Sequence, residues 1–253
     1  MTLPALSLRP YTLATLRAAL AAGWQMACRT RILSFLYALP FALLGVLMFV
    51  LLHGQGLLPF VLAAAGGFML FGPVMLAGFF GIARAAERGE PPGPGAIAAG
   101  FFQAAPALWV LALVCLLLFL IFATDAAILY SYMVGGTPFT FAHVPERALE
   151  ASRFAFWAGV SGCFIAALVY VVTAFSVPLL AERRAELVPA VVCSVRLVFG
   201  NPGPALVWAG ILGVLGVGSA LLLPLFPFVL PWLAYAGREL VRQVVVAGDE
   251  KIY

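Results

Sequence analysis

The stretch Ala205–Val246, ALVWAGILGVLGVGSALLLPLFPFVLPWLAYAGRELVRQVVV, decides the fold. Read as one long apolar segment, it crosses a membrane once. Read as a hairpin that breaks at Leu223, Pro224 and Leu225, it crosses and returns. The positive-inside rule arbitrates, because Lys and Arg beside spanning segments stay on the cytoplasmic side. Of the 14 Lys and Arg residues, the hairpin leaves only Arg147 and Arg153 outside, with Arg9, Arg17, Arg29, Arg31, Arg84, Arg88, Arg183, Arg184, Arg196, Arg238, Arg242 and Lys251 inside. The single crossing moves Arg238, Arg242 and Lys251 outward. We therefore read two spans here, Ala205–Leu223 and Leu225–Val246. The second is short of apolar residues before Arg238 and contains Pro227 and Pro231. A proline in a span frees a carbonyl that needs another partner, so this helix is expected inside a bundle.

Working outward, four more apolar runs are each long enough to span a bilayer, which takes roughly 20 residues: Leu33–Leu52, Leu57–Ala83, Pro106–Ala123 and Phe154–Leu180. With 64% hydrophobic and 9% charged residues, the chain lies far from soluble proteins, in which roughly 25% of residues are charged. The fold class is all-α: a polytopic transmembrane helical bundle of six spans, both termini cytoplasmic, forming a single membrane domain over residues 1–253. Residues 1–32 lack a basic tip, apolar core and small-residue cleavage site, so the first span is expected to act as the targeting element.

Short interfacial helices are expected on the cytoplasmic side. Between Thr12 and Ala27, Leu13, Leu16, Leu20 and Trp24 recur at helical spacing, with Arg17 and Gln25 off the stripe. Gly95–Gln103 and Val188–Phe199 hold the same position ahead of the third and fifth spans, each followed by a proline-containing entry. The chain thus reads as three units of interfacial helix plus spanning hairpin (12–83, 94–180 and 187–246). Alternatively, Pro and Trp simply mark membrane entry points.

Several residues resemble a known signature. Gly67-Phe68, Gly72-Pro73, Gly78, Arg84, Glu87 and Gly89-Glu90-Pro91, then Val177-Pro178-Leu179-Leu180, Ala190, Ser194-Val195-Arg196, the run Asn201-Pro202-Gly203-Pro204, Trp208 and Leu230-Pro231 are similar to those of the bacterial domain-of-unknown-function family 2189 of integral membrane proteins. The resemblance implies a six-helix protein of the bacterial inner membrane and brings no activity with it. Many relatives carry two histidines four residues apart in the last helix, where Tyr235 and Glu239 stand here. Any ligand role of that pair is therefore absent from this chain. The layout is also loosely similar to the membrane domains attached to some glycerophosphodiesterases, without the phosphodiesterase domain.

Candidate chemistry is sparse. Asp125 is the one acid that the sequence brings near the membrane interior; it reads as an outer-interface acid beside Tyr130 and Tyr132, or as an ion or proton site. His53 and His143 fall on the outer side with Glu146 and Glu150, but their spacing is not that of a metal site. Cys28, Cys115, Cys163 and Cys193 form no C-x-x-C and read as small buried residues. We expect no catalytic, cofactor or metal residues. Gly159, Gly162 and Ala166, and Gly210 with Gly213, place small side chains on one face and read as helix-packing seams. Gly72-Pro73 should bend the second span, either building a cavity or fitting a neighbour.

Three functional readings follow. The first is a non-enzymatic scaffold, accessory or assembly subunit of a larger membrane complex, for instance an energy-converting one, whose partners are other integral membrane subunits. The second is a transporter or lipid-handling protein for a small apolar or amphiphilic substrate; the third, an enzyme, has no motif behind it. The basic inner face suits anionic lipids. Nucleic acid is not an expected partner, because the arginines line membrane boundaries rather than one basic domain.

Overall fold

The computed structural model describes residues 6–9, 11–57, 60, 61, 64, 72–91, 93–135 and 146–247. Its first ordered element is a short strand, β1 (Leu6–Leu8), followed by helix α1 (Leu13–Arg29). Thr12 starts α1 through a reciprocal cap: its hydroxyl accepts from the Thr15 N–H, and the Thr15 hydroxyl accepts from the Thr12 N–H. After Thr30 the chain continues as α2 (Arg31–Gly54). The second expected span, Leu57–Ala83, lies largely outside the described residues until α3 (Gly72–Glu87), and α4 (Pro94–Gln103) follows as a short helix where the sequence placed one.

The third span runs farther than its apolar reading. Helix α5 (Pro106–Met133) continues beyond Ala123, so Thr124, Asp125 and Tyr130 are helical. At 1.5 Å per residue this helix is about 42 Å long, against a hydrocarbon core of about 30 Å. The fourth span is divided into α6 (Ala148–Thr173) and α7 (Ser176–Ala181). Pro178 has no N–H to offer the Ala174 carbonyl, and at the same break Ser194 of another helix bridges the separated Phe175 N–H and Val171 carbonyl. Its hydroxyl accepts from the Phe175 N–H at 3.3 Å and donates to the Val171 carbonyl at 2.7 Å.

That serine sits on α8 (Leu187–Gly200), the third of the short helices expected from the sequence. The fifth span comprises α9 (Pro202–Ile211), a π-helical segment (Leu212–Val217) and α10 (Gly218–Leu221). The chain then turns through residues 222–225 into α11 (Phe226–Val244), as the hairpin reading requires, and ends in β2 (Val245–Ala247). Strands β1 and β2 are antiparallel, Leu6 opposite Ala247 and Leu8 opposite Val245, which adds one small ladder to an otherwise helical molecule.

Among the described residues, four helical stretches are long and apolar enough to cross a membrane: Arg31–Gly54, Pro106–Met133, Ala148–Thr173 and Pro202–Leu221. In their most apolar windows only 11–22% of residues are buried, so these helices turn side chains such as Leu47, Leu117 and Phe164 outward. Helix α11 is the opposite case. Most of its side chains are buried, including Pro227 and Pro231, and it forms the axis of the bundle. The main core gathers around it: Phe79 and Phe80 of α3, Phe175 and Leu179 from the fourth span, Trp208 of α9, and Leu16 and Ala19 of α1.

Glycines set the closest approaches. A Cβ on Gly23 would lie 2.5 Å from the Ala236 nitrogen, so α1 rests directly on the backbone of α11. Helices α3 and α4 meet in the same way: a Cβ on Gly81 would lie 2.1 Å from the Ala96 carbonyl oxygen, and one on Gly100 2.2 Å from that of Ala77.

Candidate functional site

The ends of α3, α7 and α11 converge on a cluster of charges that the sequence had merely assigned to one side of the membrane. Arg238, only 3% exposed, donates from Nε to Glu182 Oε1 at 2.6 Å, and from Nη1 and Nη2 to the two Glu87 carboxylate oxygens at 2.6 and 3.0 Å. One turn on, Arg242 grips the same Glu87 carboxylate at 2.6 and 3.1 Å and approaches Glu182 to 3.6 Å. Bidentate guanidinium–carboxylate pairs are the strong, geometrically selective kind.

The electrostatics follow from this geometry. Burial pushes the Glu87 carboxyl up, but the bonds and charges of Arg238 and Arg242 outweigh it and leave Glu87 below the usual carboxylate range. Burial likewise works against a charged Arg238, and the two carboxylates bonded to it offset that cost. Arg84 joins from the preceding turn of α3, donating to the Ala181 carbonyl at 3.1 Å, while its Nε and Nη2 are buried without an acceptor among the described residues. Burial, then the charge of Arg238, lowers its pKa, with Glu182 and Glu87 pulling the other way. Three guanidinium groups therefore meet two carboxylates.

The loop after α7 fastens this end further. Arg183 adopts a left-handed φ of 53° and donates to the Phe102 and Ala104 carbonyls, at the joint between α4 and α5. Arg184 donates to the Val245 carbonyl at 2.7 Å. Beside the cluster, Tyr235 enters a buried hydroxyl network with Ser34 at 2.6 Å and Thr30 at 3.2 Å, binding α11 to the α1–α2 junction.

An apolar hollow of about 150 Å³ lies deeper in the bundle. Gly72 and Pro73 begin its wall on α3, Thr173 and Val177 flank it at the break in the fourth span, and Trp208, Leu212 and Gly216 line it from α9 and the π segment. Leu233, Ala234 and Gly237 close it from α11. The Thr173 hydroxyl donates to the Val169 carbonyl at 2.7 Å and the Ser219 hydroxyl to that of Gly216 at 2.9 Å, so both are satisfied within their own helices.

The sequence-derived residues are dispersed. Arg84 and Glu87 join the charge cluster, and Gly72 with Pro73 reaches the hollow. Ser194 bridges the broken span, whereas Arg196 is exposed on α8. Asn201 donates to the Leu197 carbonyl at 3.2 Å, Pro202 opens α9, and Gly203 and Pro204 lie in its first turn. Asp125 accepts a hydrogen bond from Ser161 of α6 at 2.5 Å. Gly162 packs toward Phe122, 3.1 Å from a Cβ at that position, whereas Gly159, Gly210 and Gly213 face open space among the described residues and Ala166 is exposed. Cys115 and Cys193 are buried, but Cys28 and Cys163 are exposed, contrary to the reading of all four as buried. Among the described residues, no three His, Cys, Asp or Glu side chains come together, and His143 lies outside them.

Sequence reasoning missed the joining of Arg238 to Glu87 and Glu182. Its local signals were the repeat of arginine after four residues in α11 and the Arg84, Glu87, Arg88 run at the end of α3. No curated protein and no solved structure matches the chain. Residues 60–182, spanning α3 to α7 and including Arg84, Glu87 and Glu182, match the family model described as "Predicted integral membrane protein (DUF2189)", and through that segment the chain belongs to this family of integral membrane proteins.

Proposed function

We propose that this is a non-enzymatic, multi-pass protein of the bacterial inner membrane that holds the end of a small apolar or amphiphilic molecule. The supporting observation is the hollow beside α11. An apolar cavity of about 150 Å³ stays dry and admits a molecule the size of benzene, whereas sites for drug-sized ligands run to roughly 300–1,000 Å³. The space suits one chain end or ring, not an entire lipid. The π-helical segment along one wall places it where helical backbone hydrogen bonding is irregular.

Trp208 lines the hollow and is 2% exposed, so it reports occupancy. Brominated-chain fatty acid titrated into the purified protein should quench Trp208 fluorescence saturably, measured as the difference from Trp208→Phe. Filling the space with Ala234→Leu should abolish that component while the fold survives. Quenching that never saturates, or that Ala234→Leu leaves unchanged, rejects the proposal.

The open faces at Gly159, Gly210 and Gly213 favour a second reading: a scaffold or accessory subunit docked on other integral membrane subunits. Gly159→Leu should then release a stoichiometric partner seen by native mass spectrometry after mild detergent extraction. A chain that extracts alone, with or without the substitution, removes this reading.

A further inference from the structure

A second cavity, of about 300 Å³, opens on a different face of α11 from the apolar hollow. Gln25, Met26 and Arg29 of α1 form one wall, Tyr235, Arg238 and Glu239 of α11 another, and Glu87 of α3 closes it. The contact of Gly23 with the Ala236 backbone fixes the two helices on which these walls stand.

The walls are polar, and their charges are unequally used. Glu87 is held twice by arginine, and three hydrogen bonds occupy Arg238, which leaves it two of its five N–H donors. Gln25, Arg29 and Glu239 have no hydrogen-bond or ion-pair partner among the described residues. The cavity thus offers one uncommitted guanidinium, one uncommitted carboxylate and one amide, in a wall whose Arg238 and Glu87 already balance one another. A simple anion would satisfy Arg29 and repel Glu239; a simple cation would do the reverse. A ligand carrying both charges satisfies both.

Its depth in the membrane follows from its neighbours. Helix α1 exposes Leu13 and Trp24, and Trp24 packs edge-on against Trp232 at 5.4 Å, whose indole N–H donates to the Leu20 carbonyl. Tryptophans with one apolar and one hydrogen-bonded side concentrate at the headgroup level. We infer that the cavity between α1 and α11 binds the headgroup of a phospholipid bearing both a phosphate and a primary ammonium. Arg29 and Gln25 take the phosphate, with the spare N–H groups of Arg238, and Glu239 takes the ammonium. This assignment uses other residues than the apolar hollow and stands or falls separately from it.

The test uses the whole protein, delipidated in detergent, and short-chain dioctanoyl lipids followed by Trp fluorescence and by thermal shift. The ethanolamine lipid should bind at least tenfold more tightly than the choline lipid, whose methylated ammonium cannot donate hydrogen bonds, and than the glycerol lipid, which has no ammonium. Glu239→Gln should erase that preference, weakening the ethanolamine lipid and tightening the glycerol lipid by removing a like charge, whereas Arg29→Gln should weaken all three. Equal affinity for the three lipids, or a preference that survives Glu239→Gln, overturns the site. Water-soluble glycerophosphoethanolamine binding as tightly as the lipid would give the cavity to a free phosphoamine and overturn the lipid assignment. Ala234→Leu, which fills the other hollow, should leave this binding unchanged.

Discussion

Arg238→Met removes one side of the charge cluster, and its cost follows from who is left behind. The substituted side chain occupies a site 3% exposed, so methionine is well accommodated by volume. The loss falls on the carboxylates. Glu87 keeps both bonds from Arg242 and is 31% exposed, so solvent and a remaining partner shield it. Glu182 is 10% exposed and keeps only the 3.6 Å approach of Arg242. Breaking a buried ion pair by removing one partner costs about 3–5 kcal/mol; with Glu87 still paired, the low end, about 3 kcal/mol, is expected. For a chain of this size that corresponds to a fall of roughly 6–12 °C in the melting temperature. The assay is thermal unfolding in detergent by Trp fluorescence, run as a double-mutant cycle with Glu182→Gln. In the Arg238→Met background, Glu182→Gln should recover about 1 kcal/mol or more, because it removes the stranded charge. A single-variant loss below about 1 kcal/mol, or strictly additive effects, would refute the claim that buried charge pairing holds α3, α7 and α11 together.

Other perturbations follow from the same geometry. Gly23→Ala places a Cβ 2.5 Å from the Ala236 nitrogen and should cost about 1–3 kcal/mol by forcing α1 off α11, read as faster proteolysis within residues 13–29. Ser194→Ala leaves the Phe175 N–H and the Val171 carbonyl unpaired at a fully buried site, a loss of about 1–3 kcal/mol in the same melting assay. Tyr235→Phe removes one hydroxyl from the Thr30–Ser34 network and should cost about 1 kcal/mol, with no change in charge-cluster coupling. Glu87 has a depressed pKa, so its contribution is complete above its ordinary value of 4.5 and is lost as pH falls below that. Melting temperature should therefore hold between pH 7 and pH 5 and drop at lower pH, with a shallower drop in Glu87→Gln.

What the sequence revealed was the part that depends on local pattern. The stripe from Leu13 to Trp24 and the proline entries at Pro106 and Pro202 located the short helices α1, α4 and α8 to within a few residues. The break before α7 stayed hidden because Phe154–Leu180 is apolar throughout, and the group that stabilises the break, Ser194, comes from another helix. The same holds for the charge cluster: Glu87 and Arg238 are 151 residues apart, and nothing in one sequence says that they meet. The tight glycines were legible in kind but not in place. Spacing drew attention to Gly159, Gly210 and Gly213, whereas among the described residues the tightest backbone-to-backbone approaches occur at single glycines, Gly23, Gly81 and Gly100.

The residues that orient the chain and those that stabilise it overlap, and this affects how the topology should be tested. Arg84, Arg183, Arg184, Arg238 and Arg242 entered the argument as charges that stay on the inner side. In the folded protein each donates to a carboxylate or to a backbone carbonyl. Reversing their charge would disturb insertion and folding together, so a variant that failed to assemble would say nothing about sidedness. The strand pair supplies an independent constraint. Leu6–Leu8 lies against Val245–Ala247, so the six-crossing reading predicts that these two strands share one side of the membrane. Single cysteines at Ser7 and Val246, introduced after Cys28 and Cys163 are replaced, leave every arginine in place. An impermeant thiol reagent applied to intact cells should label both or neither, and neither if the ends are cytoplasmic. Labelling of one position alone would break the strand pairing and the six-crossing reading with it.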